Sequence, residues 1–366
     1  MRIKNLEIKN FRNYPSLSIE INSDIVVLTG PNAVGKTNLL ESIYFASLFK
    51  SFRDDTEFIF LKDSGSLELK MLVEKEGQDH ELCVFLEKRE KIYANFLIDG
   101  VKKKRREAQG FLSVVIFDPT DVDMFTKPPE ARRKYLNMVL SQKNPEYLDA
   151  LANYKKVLFQ KNKLLQALKS GQSQGEDLPA WNEQLAELGS FIIMERKKFV
   201  NFLNTGIADV YTTISGFHRP IEVVLESLPG NSLDEVLESF RQQLAAKGGK
   251  EALVGTALIG PHRDDFSLKS DGLYLPPFSS RGELRSQVLA LKVLEMEHLS
   301  RGDDKPILLL DDVLSELDET RRTFLLKYLQ NKFQTFITTT YPLEMPAQHI
   351  TLTPAVVEEE SESQAQ

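Results

Sequence analysis

Eight consecutive residues, Gly30-Pro31-Asn32-Ala33-Val34-Gly35-Lys36-Thr37, satisfy the pattern G-x-x-x-x-G-K-[ST]. The chemistry of such a loop is phosphate binding. Gly30 and Gly35 let backbone N–H groups turn toward phosphate oxygens with no Cβ in the way. Lys36 supplies a point charge for the β- and γ-phosphates, and the Thr37 hydroxyl is placed for Mg2+. A helix beginning at Gly35 adds its positive end. The same letters could make a plain Gly-rich turn before a helix, so the flanking elements decide.

Two other stretches carry compatible chemistry. Asp311-Asp312 ends an apolar run; one carboxylate can hold the Mg2+ shell and the other can orient or deprotonate water, although alone such a pair also serves as a helix N-cap. Phe278-Ser279-Ser280-Arg281-Gly282-Glu283 opens a helix and ends 28 residues before Asp311, and its hydroxyls, glycine and helix N-terminus make a second anion-binding device. This stretch resembles the signature loop of ABC-type ATPases, with Arg281 where the usual signature has its first Gly. Ser315-Glu316-Leu317-Asp318 resembles the ABC D-loop. The order of phosphate loop, signature loop, Asp pair and D-loop makes the set specific.

The elements that must position these residues are legible from periodicity. Ile25-Val26-Val27-Leu28 is continuous and β-branched, as in a strand buried on both faces, and runs into Gly30. From 36 to 49, Leu39, Leu40, Ile43, Tyr44 and Leu48 have helical spacing. Val114-Val115-Ile116-Phe117 and Ile307-Leu308-Leu309-Leu310 predict two more buried strands, and 336–340 a fourth. Carboxylates at the carboxyl end of a parallel strand face the crevice where ligands sit. Thr37 and Asp311 lie 274 residues apart. The nucleotide fold must therefore be discontinuous, with a large insertion, which disfavours the small P-loop GTPases and nucleoside kinases.

Elsewhere, 2–21 predicts two short strands around a turn at 13–16, and 57–101 alternates as β-structure with a hairpin at Asp99-Gly100. In 145–169 and 181–203 apolar positions recur at 4-3 spacing, interrupted by Lys161 and Glu195, on either side of a Gly/Ser/Gln-rich linker at 170–179. An antiparallel helical hairpin is the expectation. A strand near 221–225, a helix near 233–244, strand-like text at 253–259, and helices at 283–299 and 319–329 complete the reading. The last dozen residues are polar and acidic and predict disorder.

Composition bounds the classes. A chain of 366 residues exceeds one ordinary domain of roughly 100–200. The 46 Lys+Arg and 53 Asp+Glu sum to −7; four of the acids, Glu358, Glu359, Glu360 and Glu362, stand in the last nine residues, leaving −3. Global charge is thus uninformative about nucleic acid, but its distribution is not. Lys102–Arg106 is an unbroken basic run. Lys155, Lys156, Lys161, Lys163 and Lys169 occur without an intervening acid, and Arg132-Arg133-Lys134 and Arg196-Lys197-Lys198 add to them. A merely solvated face usually mixes signs, so this bias suggests a surface that tracks phosphates. Cys83 is the single cysteine, which excludes an internal disulfide, a cysteine-rich zinc site and an iron–sulfur cluster, and fits a reducing cytosol. No apolar run approaches the ~20 residues of a membrane span, and the alternating start is unlike a signal peptide.

These stretches together resemble the RecF family, bacterial DNA-repair ATPases related to the heads of SMC proteins. The likeness covers about residues 1–345. It rests on Leu6-Glu7-Ile8-Lys9-Asn10-Phe11-Arg12-Asn13-Tyr14, on the phosphate loop extended through Asn38-Leu39-Leu40-Glu41, and on Phe117-Asp118-Pro119-Thr120-Asp121. Gly260-Pro261-His262-Arg263-Asp264-Asp265, Ser279-Ser280-Arg281-Gly282-Glu283 and Leu308 through Asp318 complete it. Glu283 stands where relatives commonly have Gln, and Thr339 near the ABC switch residue, usually His.

The resemblance implies an α/β fold: an ABC-type P-loop head built from 1–120 and 255–345, a mostly helical arm inserted at 121–250, and an acidic tail at 346–366. It implies a weak ATPase whose two subunits close around two ATP molecules with Mg2+. It also implies binding to DNA, single-stranded and gapped or duplex, and work with RecO and RecR to load recombinase, in the cytoplasm at the nucleoid and away from any membrane. The residues it implies at the nucleotide are Gly30, Gly35, Lys36, Thr37 and Asn38, with Arg12 and Asn32 in the phosphate shell. Thr37 and Asp311 are the Mg2+ ligands and Asp312 positions the attacking water, so that Lys36, Asp311 and Asp312 are the catalytic set. Ser280 and Gly282 meet the partner's γ-phosphate, and Asp318 joins them. The rival reading is an ATP-driven transporter subunit, which would need a coupling surface for membrane proteins.

Overall fold

The computed structural model describes residues 1–53, 56–275, 279–329, 332–340, 343 and 345–353. The chain opens with β1 (Arg2–Phe11) and β2 (Tyr14–Glu20), joined by a tight turn in which Arg12 takes a positive φ of 54°. Then come β3 (Ile25–Thr29) and α1 (Lys36–Leu48). A meander follows: β4 (Ser66–Lys75), β5 (Gln78–Lys88), β6 (Ile92–Ile98) and β7 (Val101–Lys103). The β6–β7 hairpin turns on Asp99 and Gly100, both at positive φ, as this dipeptide predicts. After α2 (Arg105–Ala108) comes β8 (Val114–Phe117). The helical region holds α3 (Pro129–Lys143), α4 (Pro145–Lys169), α5 (Leu178–Asn204), α6 (Ile207–Ser215), β9 (Ile221–Glu226) and α7 (Leu233–Val254). The chain continues with β10 (Asp265–Ser270), β11 (Leu273–Tyr274), α8 (Arg281–Leu299), β12 (Ile307–Asp311), α9 (Val313–Glu316), α10 (Glu319–Leu329), β13 (Thr335–Thr338) and β14 (Gln348–Thr351).

Three sheets organise these elements. The antiparallel sheet runs β2-β1-β4-β5-β6-β7, and alternate residues of β1, β4 and β5 (Leu6, Ile8, Leu69, Met71, Val84) point into a core shared with α1. The parallel sheet runs β14-β3-β13-β12-β8. It is buried on both faces, which is why its strands are continuously apolar. Val26, Leu28, Val114, Ile116 and Leu309 face the α1 side, whereas Val27, Val115, Leu308, Leu310 and Ile337 face a second core built with α8 and α10. The parallel register sets Asp311 opposite Thr338 and carries β3 and β12 to the same edge, so the phosphate loop and the Asp pair meet although separated by the whole insertion.

Two readings change. Residues 253–259 are not a strand: α7 runs to Val254 and ends on Gly255 at φ 84°. Nor does an acidic tail begin at 346, because Gln348–Thr351 adds β14 to the sheet beside β3 and Leu352 is buried; residues 354–366 lie outside the described residues. Among the head and arm ranges, β9 and β10 form one antiparallel ladder, so a division between 250 and 255 passes through a sheet.

The helical hairpin forms over α4 and α5, with Tyr147, Tyr154, Leu165, Leu185, Ile192 and Phe199 inside. Lys161, which interrupts the α4 stripe, is wholly buried and ion-paired with Glu251 of α7 at 2.7 Å. Arg196 of α5 is likewise buried on Asp264 at 2.6 Å, and Arg132 on Asp265 at 2.6 Å. These three cations are therefore struts of the arm and leave the basic surface read from sequence. Removing one partner of such a buried pair strands the other. Lys161→Met is expected to lower stability by about 3–5 kcal/mol. Lys161→Met with Glu251→Gln, which keeps the bond from Leu258 N to Glu251 Oε1, should recover much of it. Chemical denaturation measures both; a single variant as stable as the wild type would show that the pair contributes nothing.

Candidate nucleotide site

Strand β3 ends at Thr29 and the chain turns through Gly30, Ala33 and Gly35 at φ of 148°, 64° and 111° before α1 starts at Lys36. Three left-handed residues in six turn the backbone into the concave arrangement that binds anions. Both glycines are demanded by close approach: a Cβ on Gly30 would lie 2.6 Å from Leu352 O, and one on Gly35 2.7 Å from Asn13 and the Tyr14 hydroxyl. The Lys36 ammonium curls over the loop onto Gly30 O at 2.7 Å and Pro31 O at 2.9 Å. Asn32 is exposed at the loop's rim.

The carboxylate side assembles at the same edge. Thr37 Oγ1 donates to Asp311 Oδ1 at 2.8 Å, and Thr338 Oγ1 donates to the same oxygen at 2.8 Å. Desolvation raises the Asp311 carboxyl above its usual range, opposed by these two hydroxyls; Asp118, at the end of β8, pushes it further up. Asp312 has φ 51°, its N–H bonds Thr338 Oγ1 at 2.9 Å, and among the described residues its buried Oδ1 has no hydrogen-bond partner. Thr37 and Asp311 are thus a hydroxyl and a carboxylate in contact, a donor set of hard oxygens suited to Mg2+. With the anion-binding loop, they fit a nucleoside triphosphate with its metal. Bound there, the metal would supply charge neutralisation on the phosphates.

The β1–β2 turn braces this loop. Asn13 Nδ2 donates to Val34 O, Asn38 Nδ2 donates to Asn13 Oδ1, and Tyr14 OH donates to Gly35 O, at 3.0, 2.8 and 3.0 Å. Arg12, expected among the phosphates, lies here bidentate on Glu41 of α1 at 2.9 and 2.6 Å, with Nη1 on Phe58 O. Arg53 bonds Asn38 Oδ1 at 3.0 Å. Asn13, Tyr14, Glu41, Arg53 and Thr338 are participants that motif reading missed. Asn13, Tyr14 and Glu41 stood inside matched stretches without an assigned part, whereas Thr338 is found only through strand register. Thr339 is buried with its N–H on Leu28 O.

A second group forms around the start of α8. Ser280 Oγ accepts from Glu283 N at 3.2 Å and Glu283 Oε2 accepts from Ser280 N at 2.7 Å, a reciprocal capping box; Arg219 pairs with Glu283 at 3.1 Å. The backbone bond lowers the Glu283 carboxyl below its usual range. A Glu at this position makes the cap that a Gln would also make. Asp318 receives Arg321 N at 2.9 Å and is ion-paired with that guanidinium, whose Nε bonds Ser286 Oγ at 2.7 Å beside Gly282. Arg321 therefore gathers Asp318, Ser286 and Gly282. The expected site residues thus fall into two groups, the phosphate loop with the Asp pair and the α8 start with Asp318. Phe278 lies outside the described residues. His262 belongs to neither; its Nδ1 bonds the hydroxyl of Tyr154 on α4 at 2.6 Å.

The RecF/RecN/SMC N terminal domain family model matches residues 2–361. The DNA replication and repair protein RecF of Lachnoclostridium phytofermentans is 36% identical over 344 residues, covering 93% of each chain. RecF of Bacillus thuringiensis is 36% identical over 350 residues, covering 93% of this chain and 92% of that one. Among solved structures, the recombination mediator protein RecF with ATP, of the RecFOR pathway, superposes with a TM-score of 0.89 at 29% identity over 97% of this chain and 96% of that one. An SMC head bound to the C-terminal winged-helix domain of ScpA gives 0.52 at 12% identity over 93% and 90%, a likeness of fold alone.

Proposed function

Because this chain belongs to the RecF family of DNA replication and repair proteins, we propose that it binds ATP with Mg2+ between the phosphate loop and Asp311, closes as a homodimer on that nucleotide, and hydrolyses it slowly. In the dimer it holds DNA, single-stranded and gapped or duplex, and acts with RecO and RecR to load recombinase at gaps. The observation that carries this reading is the contact of Thr37 with Asp311 across 274 residues at the mouth of the phosphate loop. The α8 cap supports a shared site: a triphosphate needs charge on both sides, and in this chain the phosphate loop with Asp311 and the α8 start with Asp318 form distinct hydrogen-bonded groups. In this reading the head holds the nucleotide, and the arm together with the adjoining edge of the head holds DNA. Among the described residues no helix is long and apolar enough to cross a membrane, and family membership disfavours the transporter reading.

The DNA surface follows from the cations that remain after the buried struts are subtracted. Lys50 at the end of α1, Arg105 in α2, Lys134 in α3 and Lys155 in α4 are exposed. Partial desolvation, then the charges of Lys155, Arg105 and Lys134, hold the Lys50 ammonium below its usual range. Four elements therefore bring one sign of charge together, a placement suited to a phosphate backbone. Lys102, Lys156 and Lys163 are exposed as well. Each contacting lysine neutralised should reduce the magnitude of the salt slope of log K by about 0.9 on duplex DNA. Titrations of Lys155→Ala and Lys102→Ala at several salt concentrations, with and without ATP, test this; unchanged slopes would assign both to an ordinary solvated face.

A further inference from the structure

A buried charge cluster lies where the two groups of site residues are mechanically joined. Lys292, on α8 twelve residues beyond Ser280, is almost fully buried. It has two acidic partners and sits tightly on neither: Asp121 Oδ2 is at 3.6 Å and Glu295 Oε2, on its own helix, at 3.3 Å. Charge-assisted bonds of this type close to about 2.7–2.9 Å when fully made. Among the described residues neither oxygen of the wholly buried Glu295 receives a hydrogen bond of good geometry. One cation thus stands between two carboxylates, and desolvation raises both carboxyls above their usual range.

The surroundings give this cluster mechanical meaning. Asp121 Oδ2 also accepts the N–H of Asp118, the residue at the end of β8 whose charge is felt by Asp311. Tyr135 of α3 lays its ring 5.3 Å from the Lys292 ammonium, and Tyr44 of α1 feels both Glu295 and Asp121. The helix leaving the phosphate loop, the turn beside the Asp pair, the first helix of the arm and the helix that begins at Ser280 all meet here. Between Lys292 and Ser280 the helix is ~18 Å of regular backbone, long enough to carry a small displacement rigidly.

We infer that Lys292 is a positioning residue: by engaging Asp121 or Glu295 it sets α8, and with it Ser280 and Gly282, in step with the 118–121 turn beside Asp311. Engaged with Asp121, it draws α8 to the nucleotide side; engaged with Glu295, it lets the helix part from that turn. This rests on the proposed ATP-driven closure.

The two arrangements make a test that a purely structural role would not pass. Glu295→Gln leaves Asp121 as the only charged partner, and Asp121→Asn leaves Glu295; each substitution is isosteric. The full-length protein is assayed for ATP affinity, kcat and KM, and for amide exchange over 281–286 with and without ATP. Glu295→Gln is expected to raise kcat and Asp121→Asn to lower it, each by about five- to tenfold, with ATP affinity within about twofold of wild type in both. The ATP-induced change in exchange over 281–286 should survive in the first and fade in the second. Lys292→Arg should retain activity that Lys292→Met loses. Shifts of both variants in one direction, no shift, or the reverse order would overturn the inference. A wild type that binds ATP without turnover would count instead against the proposed function, and the exchange comparison would then decide the junction.

Discussion

Asp312→Asn is expected to bind ATP as the wild type does and to hold the nucleotide-bound dimer, while turning over slower by on the order of a hundredfold or more, the usual loss when a base or water-orienting group is removed. The two carboxylates are placed differently. Asp311 is the last residue of β12, and its Oδ1 already faces Thr37 Oγ1, a placement that favours the metal role proposed for it. Asp312 follows it at φ 51° with Oδ1 unengaged among the described residues, which favours the proposed role toward the nucleophile. Asn tolerates the left-handed region well, and the backbone bond from Asp312 N to Thr338 Oγ1 is untouched by the change. Asp311→Asn can still accept from Thr37 and Thr338 through its amide oxygen, so it should fold, yet it loses the anionic metal ligand. It is expected to weaken Mg2+-dependent ATP binding and therefore dimerisation itself. Turnover measured beside sedimentation in ATP separates the two variants. Identical dimer lifetimes and identical rates would show that the roles are not divided in this way.

What could be read in advance follows from how local each signal is. The phosphate loop, β8 and β12 are legible because a two-face-buried parallel strand is a contiguous apolar run and the loop motif is eight adjacent letters. The helical hairpin is legible because its spacing repeats within one element. The charges of the arm were not. Lys161, Arg132 and Arg196 read as solvent-facing cations because their carboxylates, Glu251, Asp265 and Asp264, lie far along the chain. Once those partners are known, an interruption of an apolar stripe becomes a buried strut. The strand carrying Thr338 was legible as an apolar run but its contact with Asp311 was not, because only the register beside β12 sets the two opposite each other, and β14, Gln348–Thr351, is too polar and short to read as a strand until it pairs with β3. Glu41, under Arg12, was inside a matched stretch but looked like any acid on a helix; its complete burial is a tertiary fact.

A mixture of two dead variants should regain about a quarter of wild-type ATPase activity. The premise is that the two anion cradles of one chain serve different nucleotides. Lys36→Met removes the ammonium that lies on Gly30 O and Pro31 O and should abolish hydrolysis and ATP-dependent dimerisation while leaving the fold intact. Ser280→Arg removes the hydroxyl that caps α8, at a cost of about 1 kcal/mol for the lost cap, and fills the place where a partner's γ-phosphate would arrive. On that premise, the phosphate loop of one subunit of a two-fold dimer would face the α8 start of the other. A mixed dimer then has one site with both defects and one with neither. Random assortment makes half of all dimers mixed, and each has one sound site in two. The figure assumes that a mixed dimer, held by its one sound site, forms as often as random assortment gives and that this site can fire alone; Lys36→Met homodimers, which ATP does not hold, contribute nothing either way, and strong coupling between sites would lower the figure. If each site were contained in one subunit, every site in the mixture would carry a defect and no activity would return. Activity that stays at the level of the separate variants, with mixed dimers demonstrated by native mass spectrometry, would therefore count heavily against the shared site, and the contact of Thr37 with Asp311 would then point to a complete site within a single chain.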